Sequence, residues 1–535
     1  MKLSNKIFIG ACVATMFTAC DYEAINTNPY EMTDAQGAWD GVGVGGQITA
    51  MQQNVIPVGT QADGTDVANL YQTAYNLSAD VWSGYFGQNN NWNGGNNNTC
   101  YFLVDSWVAS TYNASYTKLL APWKKLREAA EKNGTPNVYA LAQILKISGW
   151  HKTLETFGPM PYTHAGDAAL SIPFDSEEEV YRAMLADLDE AIETLSDDAR
   201  NGLTVMPDFD AVYAGDAKKW VKYANTLMLR LAMRVRFADA NLAKEYATKA
   251  VNQEFGLMTV KDDAAQLSQG AGIQFMNNFT VVADQYSECR MGASIYCYLV
   301  GYEDPRLPAY FLETEDHTYV TQTSMGYYLG IPLGNIYAKS DYYTYGTSQP
   351  NIQSGTPTYW MRASEAYFLR AEAALVWGGV FGDAASLYEQ GIAMSFEENG
   401  ISSSVAAYMA SGKTPVKHPD MYGRTGNVSS TATPEFTGST EQKLEKIMIQ
   451  KWIALYPNGQ EAWTEWRRTG YPKLVPTITN RGTSQGVTTE GGIRRMVYPN
   501  SFSIAESTRD VYTDAVGKLS TGTDLPSTKL WWDCK

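Results

Sequence analysis

From Asp80 to Thr99 the chain interleaves aromatic rings with side-chain amides: Trp82, Tyr85 and Phe86 lead into the run Gln88–Asn98, and Trp92 sits inside it. The chemistry this suits is recognition of a saccharide. A sugar ring offers an apolar CH-lined face for a flat aromatic ring to cover. It also brings hydroxyls that need polar partners, because a buried unpaired polar group costs ~1–3 kcal/mol. Trp92, flanked by Asn and Gly, has little apolar company and is expected at a ligand or an interface. Trp82 closes a more regular segment, where core packing is at least as good a reading. Asp40, Asp63 and Asp66 stand near this stretch. A carboxylate accepts hydrogen bonds from two vicinal hydroxyls, and a solvated surface Asp is the ordinary alternative.

Two further aromatic-rich stretches occur, Tyr286–Arg290 continuing to Ile295–Tyr298, and Tyr327–Tyr328 continuing to Asp341–Gly346. Arg362 opens a helical run, from which it either reaches a ligand or pairs with Glu365 three residues on. Trp452, Trp463 and Trp466 fall at helical spacing and are expected in the core.

Signals for catalysis are poor. Gly482-Thr-Ser484-Gln-Gly486 matches a nucleophile elbow but lacks the apolar strand before it and the helix after it. The four histidines, His151, His164, His317 and His418, include no pair at metal-ligand spacing. No phosphate-cradling glycine motif is present. The expectation is no catalytic residue, no metal and no cofactor. A net charge of −16 would repel phosphates, which excludes nucleic acid as a partner.

At the N-terminus Lys2 and Lys6 precede an apolar run from Ile7 to Phe17, too short to cross a ~30 Å hydrocarbon core as a helix. It reads as a signal peptide. Phe17-Thr18-Ala19-Cys20 looks like a bacterial lipobox, with cleavage before Cys20 and lipid on its sulfur. The expected organisation is a signal peptide over residues 1–19, a lipidated tether over 20–36, and a single domain over 37–535. Cys100, Cys289, Cys297 and Cys534 are too sparse for a disulfide scaffold. Cys289 and Cys297 either pair or remain two buried thiols.

The elements that must hold these residues are helical. Ser176 with Glu179 makes a capping box, and Val180, Met184, Leu188, Ile192 and Leu195 follow as one apolar stripe. Asp216 caps a second helix, partnered by Leu242–Val251. Ser364–Trp377 and Asp383–Met394 are broken by Gly378-Gly379, and Glu441–Leu455 and Gln460–Arg468 by Pro457–Gly459. An earlier helix covers Val138–Phe157. Repeated helix, break, helix resembles stacked tetratricopeptide hairpins. The fold class expected is mainly α: a tetratricopeptide-like superhelix of helical hairpins with an irregular, loop-rich ligand-binding layer.

A family resemblance runs through the same segments. Glu23–Pro29, Asn137–Lys146, Phe157-Gly-Pro-Met-Pro-Tyr162, Gly215–Asn225, Asp304-Pro-Arg-Leu307, Met361–Glu372, Gly459–Arg468 and Arg495–Asn500 resemble RagB/SusD lipoproteins in order along the chain. The resemblance implies a Bacteroidetes outer-membrane, cell-surface lipoprotein that captures an oligosaccharide or polysaccharide. Its implied partner is a TonB-dependent SusC-like transporter. The family builds its site from an N-terminal and a mid-chain loop. By chain order this points to Trp82 and Trp92 with Tyr286, Tyr296 and Cys297, alongside Asp40, Asp66 and Arg362. Peptide capture within the same family is the alternative function, and a surface glycosidase a weaker one.

Overall fold

A computed structural model describes residues 41–419 and 427–535. The chain divides into two units, Met1–Gly46 and Gln47–Lys535. Of the first, the described residues open the helix Val42–Val55. The signal peptide, the Cys20 anchor, the tether and Asp40 lie outside the described residues.

The second unit is built on helical hairpins. Its long helices are α1 (Lys118–Asn133), α2 (Pro136–Phe157), α3 (Glu177–Arg200), α4 (Ala217–Arg234) and α5 (Ala240–Asn252). They continue with α6 (Ala363–Trp377), α7 (Ala384–Glu398), α8 (Thr440–Leu455) and α9 (Gly459–Thr469). Consecutive helices from α1 to α5 pack side by side. α4 then meets α6, and α6 packs on both α7 and α8. The expected mainly helical, tetratricopeptide-like fold is what forms.

Local chemistry sets the boundaries. The Ser176 hydroxyl accepts from the Glu179 amide at 3.4 Å while the Glu179 carboxylate accepts from the Ser176 amide at 2.8 Å, closing the capping box of α3. Asp216 accepts from the Lys219 amide at 3.0 Å to start α4. Gly378 and Gly379 take φ of 61° and 60° to end α6, a left-handed conformation that costs glycine little. Of these nine, α1 escaped the sequence reading: it carries Pro122 in its interior, where proline normally interrupts a helix.

The centre of the helical layer is charged. Arg234, fully buried, donates to Glu155 at 3.1 Å, to Glu461 at 2.5 Å and to Glu465. Arg230 pairs with Glu365 at 2.6 Å, and Arg468 with Glu372 at 2.7 Å. Burial by itself raises the Glu465 carboxyl, and Arg468, Lys451 and Arg234 overcome it, holding the group well below the usual range. Glu365 is taken by Arg230, so of the two readings of Arg362 the pairing with Glu365 does not form.

Short antiparallel strands tie the loops together. β1 (Gly59–Thr60), β4 (Gln269–Gly270) and β5 (Ile273–Met276) form one sheet in the order β1-β5-β4. β2 (Phe86–Gln88) pairs with β6 (Cys289–Met291), and β3 (Ala265–Leu267) with β7 (Thr358–Met361).

Candidate functional site

The β2–β6 pair brings the aromatic stretches together. Its register sets Phe86 opposite Met291, Gly87 opposite Arg290 and Gln88 opposite Cys289. A Cβ on Gly87 would lie 2.5 Å from the Ile331 carbonyl oxygen, so only glycine lets the third stretch approach this strand. Past β2, the Asn89 amide N–H donates to the Glu288 carbonyl at 2.9 Å, and its side chain donates to the Ser287 carbonyl at 2.9 Å and the Thr344 hydroxyl at 3.1 Å. Asn335 donates to the Gln88 carbonyl at 3.0 Å. Glu288 gathers Gln72 at 2.8 Å, Asn90 at 2.8 Å and Lys339 at 3.5 Å.

On this frame sit exposed rings. Trp92 opens the 3₁₀ turn Trp92–Gly95 and is half-buried, its ring edge-on to half-buried Trp107 at 6.3 Å and 84°. The turn presses on the mid-chain loop: a Cβ on Gly95 would be 2.6 Å from Ile336 Cγ2. The next residue, Tyr337, is 45% exposed and lies 6.3 Å from Tyr343, nearly parallel at 20°. Tyr345 is 44% exposed. Tyr286, half-buried, donates its hydroxyl to Asn69 Oδ1 at 3.0 Å, and its carbonyl accepts from Lys339 at 2.5 Å.

Several expected site residues lie elsewhere. Trp82 is 3% exposed, with its ring 4.9 Å from Trp463 and its indole N–H donating to the Asn98 carbonyl at 2.9 Å; it is packed rather than presented as a platform. Tyr296 is also 3% exposed, edge-on to His418 at 5.3 Å, and Cys297 is fully buried in the helix Ala293–Gly301. Both point into the core because that helix is apolar on every side. Cys289 and Cys297 are free buried thiols, not a disulfide. Asp66 is exposed on the helix Gly64–Tyr71. Arg362 lies 3.8 Å above the Tyr359 ring and lines a different cleft of about 270 Å³ with Lys219 and Glu398.

Trp107, Tyr337, Lys339 and Glu288 were not picked out from the sequence. Trp107 lies beyond the amide run, and the mid-chain tyrosines were passed over for Tyr286–Cys297. The amides also behave differently from expectation. Gln88, Asn89, Asn97 and Asn98 are buried and hold the loop: Asn97 donates to the Trp92 carbonyl at 2.7 Å, and Asn98 accepts from the Val104 amide at 2.8 Å. Asn93 and Asn96 remain exposed, and Asn90 and Asn91 half-buried. Among the described residues, His151, Glu155 and Glu461 bring ligand atoms within 4.8 Å of one another. Both carboxylates are already paired with Arg234, whose charge opposes a cation.

The sequence model described as Susd and RagB outer membrane lipoprotein matches residues 24–533. The chain belongs to the SusD-like family. A chitin-binding SusD homolog from Flavobacterium johnsoniae is similar at 34% identity and a TM-score of 0.83, over 92% of this chain and 99% of that one. A SusD homolog from Bacteroides vulgatus gives 32% and 0.83 over 93% and 99%. A SusD-like protein from Bacteroides thetaiotaomicron gives 31% and 0.82 over 92% and 99%. No curated protein matches. The resemblance drawn from Glu23–Asn500 is thus borne out at the level of the family, and the SusD-like chain carries its surface rings on loops set by β2 and β6.

Proposed function

We propose that this SusD-like protein is a cell-surface glycan-binding lipoprotein. It captures oligosaccharide outside the cell and passes it to a TonB-dependent outer-membrane transporter. The observation that carries the reading is the surface where Trp92 meets Trp107 edge-on beside exposed asparagines, with the loop that bears Tyr337 packed against the same turn at Gly95 and Ile336. Rings of this kind cover the CH faces of sugars through dispersion and burial of apolar area, at roughly 25 cal/mol per Å². Asparagine amides supply both a donor and an acceptor to hydroxyls. The chitin-binding relative supports a saccharide ligand, and the family description supports an outer-membrane lipoprotein.

The protein acts by binding, without catalysis. Lipid on Cys20 holds it to the outer leaflet, at ~0.8 kcal/mol per buried CH₂, and the body faces outward. Native gels containing single polysaccharides test the ligand class. Retardation by at least one glycan is expected, and no retardation across a broad panel, with binding of peptide mixtures instead, would overturn it.

A further inference from the structure

A cleft of about 470 Å³ is lined by Trp82, Tyr101, Ser294, Trp466, Glu490 and Arg494. Its volume falls in the ~300–1,000 Å³ range of small-molecule sites. Trp466, expected in the core, is instead half-buried on its wall. Tyr101 holds φ at 64° and ψ at 21°, a left-handed conformation that bulky residues rarely adopt. It is fixed there by its amide N–H on the Asn98 carbonyl at 3.1 Å and by the Phe102 amide N–H on the Asn97 carbonyl at 3.1 Å. Outliers of this kind concentrate at ligand sites.

The wall carries unspent polar groups. Among the described residues the Tyr101 phenol and the Trp466 indole N–H have no hydrogen-bond partner, and the Glu490 carboxylate has neither a hydrogen bond nor an ion pair. Ser294 accepts from the Val475 amide at 3.0 Å and keeps its own proton to donate. The cations, by contrast, are committed. Arg494 donates to Asp533 at 2.7 Å and to the Arg467 carbonyl at 2.8 Å, with its guanidinium 5.3 Å from the Trp466 ring centre. Lys473 donates to the Gly470 carbonyl at 3.0 Å. Arg494 is offset by Asp533, and Lys473 and Glu490 carry opposite charges, so the lining has no net charge, which suits a neutral ligand.

We infer that this cleft is a second saccharide subsite, made of different residues from the Trp92 surface, which takes a neutral sugar ring against Trp466 with hydroxyls on Tyr101 and Glu490. The inference rests on the glycan reading above. The test is calorimetry of the wild type, Trp92→Ala, Trp466→Ala, Tyr101→Phe and Glu490→Gln against maltohexaose, cellohexaose, xylohexaose, chitohexaose and trigalacturonate. Trp466→Ala is expected to weaken the neutral hexasaccharide bound by the wild type on the order of tenfold, and the other two cleft variants several-fold, with unchanged melting. Where Trp466→Ala lowers the melting temperature, Tyr101→Phe and Glu490→Gln decide. Loss of binding in Trp92→Ala with all cleft variants matching the wild type overturns the subsite alone, as does a wild-type preference for trigalacturonate. Absence of any saccharide binding by the wild type overturns the glycan reading and the subsite with it.

Discussion

The Asn335 side-chain amide donates to the Gln88 carbonyl at 3.0 Å, joining loops 247 residues apart in the chain. Asn335 is 2% exposed, so this bond is made out of water. It fixes the loop bearing Tyr337 relative to the one bearing Trp92. Asn335→Ala leaves a buried carbonyl unpaired, at a cost of about 1–3 kcal/mol. The expected result is weaker glycan binding with a modest drop in melting temperature. Binding equal to the wild type would show that the two loops need no such tie.

Arg234 is the pivot of the buried charge network. Arg234→Met strands Glu155, Glu461 and Glu465 without their shared guanidinium, and breaking a buried pair from one side costs about 3–5 kcal/mol. Urea unfolding reads this directly. A loss below about 1 kcal/mol, the ceiling for exposed pairs, would mean that the carboxylates find water.

Glu177 provides a pH signature. Burial pushes its carboxyl up to about 8, although the Trp531 amide N–H donates to it. Its ordinary value is 4.5. Between those two values the folded protein keeps a proton that the unfolded chain releases, so stability from this group falls as pH rises and levels off above about 8. Glu177→Gln removes that slope. The melting temperature of the variant minus that of the wild type is expected to grow between pH 4.5 and 8. A difference independent of pH would contradict the assignment.

The proposed function makes membrane attachment depend on the Cys20 sulfur. Cys20→Ala is expected to move the protein from the membrane pellet to soluble fractions, and unchanged pelleting would contradict a lipid anchor at Cys20.

The helical layer was legible because its signals are local. Ser176 and Glu179, Asp216, and Gly378-Gly379 each act within a turn of where they stand in sequence. The charged core was not. Lys146, Lys152 and Glu155 would read as solvated charges on α2, yet all three are buried: Lys146 reaches Asp187 on α3, Glu155 takes Arg234 from α4, and Lys152 donates to the Ser148 carbonyl of α2 itself. The site divides in the same way. That aromatic rings and asparagines would build the candidate surface was visible in residues 82–99 and 327–346. Which rings reach the surface depends on the β2–β6 register and on Trp463 covering Trp82, contacts far apart in sequence. Periodicity also placed Trp466 in the core with its neighbours, whereas Gly492 leaves it partly open.

The proposed function puts the glycan on the Trp92 surface. Titration calorimetry of Trp92→Ala, with whichever polysaccharide retards the wild type, tests it most directly. Removing a half-buried ring that packs edge-on to Trp107 is expected to cost on the order of 1–3 kcal/mol of affinity, tenfold or more in Kd, while the melting temperature holds within a few degrees. Wild-type affinity in Trp92→Ala would contradict the placement. Lost binding accompanied by a large drop in melting temperature would instead make Trp92 a packing residue.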